Sequence, residues 1–224
     1  MKRIHLGKLF IKVMLAILLL VNIVGYSNVN ANHGSTIHNA TEQNAGNWYG
    51  SRATINWTNP NLNGGQWVYV RTSSNHQVQG YCFRFSEIGW YKTTSSLKGL
   101  VIWDSGCSRK DLTFNITAAT HTYSQQYFES GGVDRYAWYV DGSYIGSGQT
   151  NFSYTTTVTC GGEVATGVES MGNTRCGSNY KLRKNTDGTY TFILWGGHTN
   201  YVDDPPYYNT NDPSDPDNSF FSLP

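Results

Sequence analysis

Short segments in which aromatic or β-branched residues alternate with polar residues recur along the chain from Trp48 onward. A period of two is the pattern of a strand with one buried face. Clusters of Gly, Asn, Asp and Pro separate these segments, and Asp141-Gly142 lies between two of them, which predicts a two-residue hairpin. We therefore predict an all-β fold of about eleven strands with no helix in the mature chain, an antiparallel β-sandwich that is jelly-roll-like.

The first residues have the pattern of a secretory signal. A lysine- and arginine-rich start precedes the apolar segment Val13–Val24, which is shorter than a membrane-spanning helix requires. Val29-Asn30-Ala31 matches a signal peptidase site, so we predict that residues 1–31 are removed after Ala31. The protein is then secreted, with no membrane attachment after cleavage; an uncleaved anchor is the alternative.

The remaining chain divides by composition into three parts. Residues 32–47 are polar, Asn- and Gly-rich and without a period, which predicts a flexible leader. Residues 48–200 hold the predicted sandwich domain. Residues 201–224 form an Asp-, Asn- and Pro-rich tail that we expect to be solvated. Its aspartates lack the spacing of an EF-hand loop, so we do not predict a calcium site there.

Composition excludes one class of partner. The 224 residues carry a formal net charge of +1, and only 14% of them are charged, so no electric field favours binding to nucleic acid. We expect a monomer.

The chain has four cysteines, and an even number behind a secretory signal predicts two disulfides. Three pairings are possible. We favour Cys82–Cys107 and Cys160–Cys176, because each closes a local loop. A metal site is the alternative, although neither the cysteines nor the histidines show paired ligand spacing.

Elimination leaves carboxylates as the candidate catalytic groups. The sequence contains no GxSxG segment and no HExxH segment, which excludes the usual α/β-hydrolase serine and zinc peptidase motifs. Asp104-Ser105-Gly106 after an apolar run resembles the catalytic loop of aspartic peptidases, which need two such aspartates. This chain has one copy, so a homodimer would be required. The alternative is a strand that ends in an Asp-Ser-Gly turn.

The remaining candidates are glutamates in segments that resemble a known family. Tyr49–Asn56 (YGSRATIN) is similar to the opening of neprosin domains, and Ser86–Trp90 (SEIGW) is similar to their glutamate-x-Gly-Trp strand. Gly161–Val164 (GGEV) and Glu169–Gly172 (ESMG) resemble their GGEV…MGSG segment. The matches occur in family order over most of the mature chain, and the similarity is closest to short bacterial members.

This resemblance implies a glutamic peptidase with Glu87 and Glu163 as its catalytic pair, acting on a polypeptide, without a metal or cofactor. It also implies a preference for proline. Two facing carboxylates do not both ionise readily, so one acts as a base on water and the other as an acid. We assign Glu163 as the base and Glu87 as the acid, expect them to face each other across the sandwich, and expect an acidic optimum. Glu169 is the substitute partner if the register differs.

Four aromatic residues are predicted to line a cleft for an extended peptide: Trp90, Tyr91, Trp138 and Trp195. Core packing is the alternative for each, since inward strand positions require large apolar groups. A different class of function also fits the composition. A non-catalytic secreted sandwich would bind glycans or surfaces through such aromatics and would not need facing carboxylates.

Overall fold

A computed structural model describes residues 37–76, 84–165, 174–197, 199–202, 208–211 and 219–222. These residues form fifteen strands. The strands are β1 (Ile37–Trp48), β2 (Gly50–Ile55), β3 (Trp67–His76), β4 (Arg84–Thr93), β5 (Leu97–Asp104), β6 (Arg109–Phe114), β7 (His121–Ser130), β8 (Val133–Val140), β9 (Ser143–Gln149), β10 (Thr155–Ala165), β11 (Thr174–Lys184), β12 (Tyr190–Leu194), β13 (Thr199–Val202), β14 (Tyr208–Asn211) and β15 (Ser219–Ser222). The described ranges contain no helix, and hence none with the length and apolarity that a membrane crossing needs.

The strands form two sheets, in which every described pairing is antiparallel. One is seven-stranded, in the order β13-β1-β10-β3-β4-β5-β6. The other is eight-stranded and runs β14-β15-β11-β2-β7-β8-β9, with β12 paired to β11. This architecture confirms the predicted antiparallel β-sandwich.

Alternation along the strands sends apolar side chains into the space between the sheets. In β3, Val68 and Val70 are fully buried members of the core. Tyr69 and Arg71 alternate with them and therefore point to the opposite, outer face of the seven-stranded sheet. The Asp141-Gly142 hairpin forms as predicted. Both residues have positive φ, 50° and 78°, and β8 pairs with β9 directly across them, as a type I′ turn requires.

Buried hydrogen bonds link β4 to the opposite sheet through the core. The Gln125 side chain of β7 donates to the Ser51 hydroxyl at 2.9 Å and to the Ser86 carbonyl at 2.8 Å. The Trp138 indole N–H donates to the Ser86 hydroxyl at 2.9 Å. These buried hydrogen bonds fix the backbone immediately before Glu87, since misplacing them would leave polar groups unsatisfied.

The disulfide Cys160–Cys176 is present as predicted. It joins β10 of one sheet to β11 of the other, and both cysteines are fully buried. Cys107 is also disulfide-bonded, while its predicted partner, Cys82, lies outside the described residues.

Both ends of the domain contain more strand than we predicted. Residues 37–47, expected in a flexible leader, belong to β1, which pairs with β10. Backbone pairing to an existing strand compensates for the absence of apolar alternation in this polar segment. The expected tail contributes β14, β15 and part of β13. The signal segment 1–31 lies outside the described residues.

Candidate active site

The register of three central strands brings Glu87 and Glu163 to the same face of one sheet. Glu163 of β10 pairs with Tyr69 of β3, and Ser73 of β3 pairs with Glu87 of β4. Tyr69, Arg71 and Ser73 alternate along β3, so all five side chains belong to the outer face. The expectation that the two glutamates meet across the sandwich is wrong in this respect. They meet within the seven-stranded sheet, one on each side of β3.

Arg71 lies between the two glutamates. Its Nη2 hydrogen-bonds to Glu163 Oε1, and its Nε is 3.2 Å from Glu87 Oε1. Arg71 is only 1% exposed and each glutamate 9%. Two nearly buried carboxylates therefore converge on one buried guanidinium.

The electrostatics keep Arg71 charged. Burial alone would lower the pKa of Arg71, but the negative charges of Glu163 and Glu87 raise it above its ordinary value. Two carboxylates and one guanidinium therefore share a poorly solvated place, where the protonation of one glutamate affects that of the other.

Glycines lie beside Arg71 on both neighbouring strands. Gly89 of β4 and Gly161 of β10 are its direct partners in the two pairings. A Cβ atom at Gly89 would collide with the Val70 carbonyl oxygen and lie 2.7 Å from the Arg71 Cα. The conformation therefore depends on the absence of a side chain at this position.

Sequence reasoning missed Arg71. The signal that could have revealed it is an arginine at an alternating position within the apolar and aromatic segment Trp67–Thr72. A charged group buried in a strand needs a charged partner. Glu87 and Glu163, which the sequence had already indicated as candidates, were therefore the partners to consider for Arg71.

Aromatic side chains continue the outer face next to Glu163. The Tyr69 hydroxyl donates to the Leu100 carbonyl at 3.3 Å. Burial and the charge of Glu87 raise the pKa of Tyr69 well above its ordinary value, so this phenol stays neutral. The Tyr91 ring centroid lies 6.5 Å from that of Tyr69 and 6.1 Å from that of Trp67.

Of the four aromatic residues predicted to line a cleft, only Tyr91 lies on the carboxylate face. Trp90, Trp138 and Trp195 are at most 2% exposed and belong to the core between the sheets. Strand alternation explains the burial of Trp90, because this residue lies between Gly89 and Tyr91, which both face outward. Its indole N–H donates to the Asn56 carbonyl at 3.1 Å inside the domain.

The other sequence candidates do not join the glutamate pair. Asp104 ends β5 and is 3% exposed, and the turn that follows it is closed by the Ser105 N–H, which donates to the Ser108 carbonyl at 2.9 Å. This is the strand-and-turn arrangement given as the alternative to an aspartic peptidase loop. Glu169 lies outside the described residues. Among the residues that are described, no cluster of three His, Cys, Asp or Glu side chains has the geometry of a metal site.

Comparisons with known proteins identify the fold. No protein-family model matches the sequence, and no curated protein matches it. Among solved structures, the chain is similar to Scytalido-glutamic peptidase with a peptide-based transition state analog, with a TM-score of 0.56, 8% identity, and coverage of 85% of this chain and 99% of that chain. This similarity shows a glutamic-peptidase-like fold. The neprosin resemblance stays a prediction.

Weaker similarities connect the chain to glycoside hydrolases. An endo-glucanase of family 16 from Bacteroides ovatus gives a TM-score of 0.38 at 14% identity, covering 62% of this chain and 71% of that one. A lichenase derived from a mouse hindgut metagenome gives 0.39 at 13% identity, covering 59% and 69%. TM-scores this low carry no functional argument.

Proposed function

We propose that this protein is a glutamic endopeptidase in which Glu87 and Glu163 form the catalytic pair. One observation carries the proposal: two nearly buried carboxylates converge on one buried guanidinium, on one face of a central sheet. The fold shared with a glutamic peptidase supports it.

The contacts of Arg71 support a division of roles. Its Nη2 donates a hydrogen bond to Glu163, whereas its Nε forms an ion pair with Glu87 at 3.2 Å without a hydrogen bond. A charge-assisted hydrogen bond favours the ionised form of its acceptor, so we assign Glu163 as the ionised member of the pair and Glu87 as the one that holds the proton. Glu163 is therefore the base and Glu87 the acid.

The reaction conserves its protons. Glu163 accepts a proton from water as the water oxygen bonds to the peptide carbonyl carbon, and Glu87 protonates the carbonyl oxygen. The C–N bond then breaks as Glu163 gives its proton to the leaving nitrogen. A hydroxyl proton of the intermediate returns to Glu87, which releases a carboxylic acid and an amine and restores both glutamates.

The charge of Arg71 limits this chemistry to acidic pH. A neighbouring cation favours the ionised form of both carboxylates, so a protonated acid is populated only at low pH. The buried disulfide Cys160–Cys176 supports an extracellular protein, since such bonds persist in oxidising compartments.

The test is hydrolysis of a denatured protein and of short peptides, from acidic to mildly alkaline pH, by the disulfide-bonded chain. We expect activity at acidic pH that is lost in both Glu87→Gln and Glu163→Gln. Glu129→Gln is the matched control, because this glutamate is exposed on β7 of the other sheet. Full activity in either site variant, or no cleavage by folded wild-type protein at any pH, would overturn the proposal.

A further inference from the structure

A second chain of polar side chains lies on the eight-stranded sheet, whereas the glutamate pair belongs to the seven-stranded one. His121, the first residue of β7, hydrogen-bonds through Nδ1 to Asp141 Oδ2 at 2.6 Å, and Asp141 lies in the turn between β8 and β9. On the other side of the ring, His121 Nε2 is 3.0 Å from Thr117 Oγ1, in the loop between β6 and β7. A carboxylate, an imidazole and a hydroxyl therefore form one hydrogen-bonded series.

The Asp141 carboxylate is fixed and ionised. Its Oδ1 accepts a hydrogen bond from the Thr122 N–H at 2.8 Å, and its φ of 50° is the one that the type I′ turn requires. Burial raises the pKa of Asp141, but the hydrogen bonds from His121 and Thr122 outweigh burial and hold that pKa below its ordinary value. An ionised carboxylate accepts the Nδ1 proton of His121, so we assign Nε2 as the acceptor for the Thr117 hydroxyl.

This series has the arrangement of an activated hydroxyl nucleophile. Such a site needs a hydroxyl within hydrogen-bond reach of an imidazole, and a third group that orients the imidazole. Thr117, His121 and Asp141 meet these requirements in that order. The constellation occurs on unrelated folds and is recognised by geometry and roles.

The hydroxyl and the imidazole also line a cavity of about 360 Å³. Thr117 and His121 share its lining with four apolar and two polar residues: Phe114, Ile116, Val140, Ile145, Asn115 and Ser143. Its volume and its largely apolar lining are typical of sites for small molecules. Among these described lining residues there is no Lys, Arg, Asp or Glu, so the cavity favours an uncharged group.

We propose that this cavity is a hydrolytic site separate from the glutamate pair, which cleaves small uncharged esters with Thr117 as the nucleophile and His121 as the base. The apolar residues of the lining bind the acyl group. Asn115 and Ser143, which line the same cavity, carry an amide and a hydroxyl that can donate to the oxyanion.

The reaction conserves its atoms and protons. Thr117 Oγ1 bonds to the ester carbonyl carbon as His121 Nε2 takes its proton. The C–O bond to the alcohol then breaks, and His121 gives this proton to the departing oxygen. Water next bonds to the acyl carbon and gives a proton to His121, which passes it to Thr117 as the acyl–oxygen bond breaks. Between these transfers the imidazolium Nε2–H has a further acceptor in the Thr117 carbonyl oxygen, at 3.3 Å.

The experiment follows the release of p-nitrophenol from its acetate, butyrate and hexanoate esters by the folded, disulfide-bonded chain. We expect saturable hydrolysis that is several-fold faster for the butyrate than for the acetate, because the apolar lining binds the longer chain. Thr117→Val removes the hydroxyl and should lower kcat/KM by about 100-fold or more. Thr117→Ser keeps a hydroxyl and should restore most of that loss. Thr120→Val is the matched control, since this threonine is exposed in the same loop.

Asp141→Asn tests the orientation of His121 while preserving the turn, because asparagine is also favoured at positive φ in a type I′ turn. The amide does not hold the Nδ1 proton as a carboxylate does, so kcat should fall by about 100-fold or more in a protein that still folds. Unchanged ester hydrolysis in Asp141→Asn would overturn the assigned roles.

The glutamate variants separate this site from the proposed peptidase. Glu87→Gln and Glu163→Gln should retain ester hydrolysis, and Thr117→Val should retain peptide cleavage. Loss of ester hydrolysis in either glutamate variant would assign that activity to the glutamate pair and overturn the inference. Equal ester hydrolysis by wild type and Thr117→Val, or none by folded wild type, would show that the polar series is a structural link only.

Discussion

Arg71 and Gly89 are direct partners in the pairing of β3 with β4, and a Cβ atom on Gly89 would lie 2.7 Å from the Arg71 Cα. Backbone atoms of β3 surround that position, so the collision cannot be relieved by rotating a side chain. The close approach of the two strands therefore also fixes the position of the Arg71 Cα, from which the side chain extends toward the glutamates.

Replacing Gly89 by Ala should lower the free energy of unfolding by about 1–3 kcal/mol, because β4 must move away from β3. Denaturant unfolding measures this change. Gly64→Ala is the control, since a Cβ atom there meets nothing within 4 Å. Equal stability of the two variants would show that the pairing tolerates a side chain at Gly89.

Removal of the charge at Arg71 should extend peptidase activity to higher pH. In Arg71→Gln the carboxyl that must carry a proton no longer faces a cation, so it keeps its proton at higher pH. Tyr69 and Tyr91 on the same face stay neutral, because burial raises the pKa of both. The exposed Arg109, whose charge lowers the pKa of both tyrosines, remains as a nearby cation in this variant. We expect the alkaline limit of the pH profile to rise by about one unit or more.

Arg71→Lys keeps the charge and is the matched comparison, so its alkaline limit should stay near that of wild type even if the rate falls. Arg71→Gln should also be less stable near neutral pH, by about 3–5 kcal/mol, because it leaves buried carboxylates without a counter-charge. That loss should shrink at acidic pH, where the carboxyls protonate. An unchanged pH profile in Arg71→Gln would contradict this role.

Asp104 should affect stability rather than catalysis. Burial raises the pKa of Asp104 above 3.8, although the N–H groups of Cys107 and Ser108 lower it. The folded protein therefore binds this proton more tightly than the unfolded chain, and the resulting stabilisation is lost as pH rises above about 4. In Asp104→Asn this loss should be absent, so its stability relative to wild type should increase between acidic and neutral pH while cleavage is retained. Loss of cleavage in this variant alone would instead support an aspartic mechanism.

The disulfide Cys160–Cys176 should contribute about 3 kcal/mol, since it closes a loop with a sequence separation of 16. We expect the double variant Cys160→Ala/Cys176→Ala to unfold at a clearly lower temperature, as thermal denaturation can measure. Both sulfurs are buried, so a mild reductant should leave this bond intact in folded wild-type protein and reduce it after denaturation. Rapid reduction in the native state would show that β10 and β11 separate readily.

The sequence predicted the sandwich because its main signals are local. Alternation and the Asp141-Gly142 pair depend on strand period and turn geometry alone. The prediction for Trp90 was wrong because this residue is three positions from Glu87 on β4, and alternation places the two on opposite faces. The prediction for residues 37–47 failed because their strand depends on pairing with β10. Glu87 and Glu163 came from the resemblance. Their meeting at Arg71 depends on which strands are neighbours, which no local pattern contains.

The order of strands in the seven-stranded sheet also makes the glutamate pair a late product of folding. Glu87 and Glu163 come from strands far apart in the chain, and they converge on Arg71 only after both strands have paired with β3. Pairings between distant segments form slowly compared with local hairpins. For the proposed peptidase, a nascent or unfolded chain therefore has no assembled catalytic pair, and latency during synthesis follows from the topology itself.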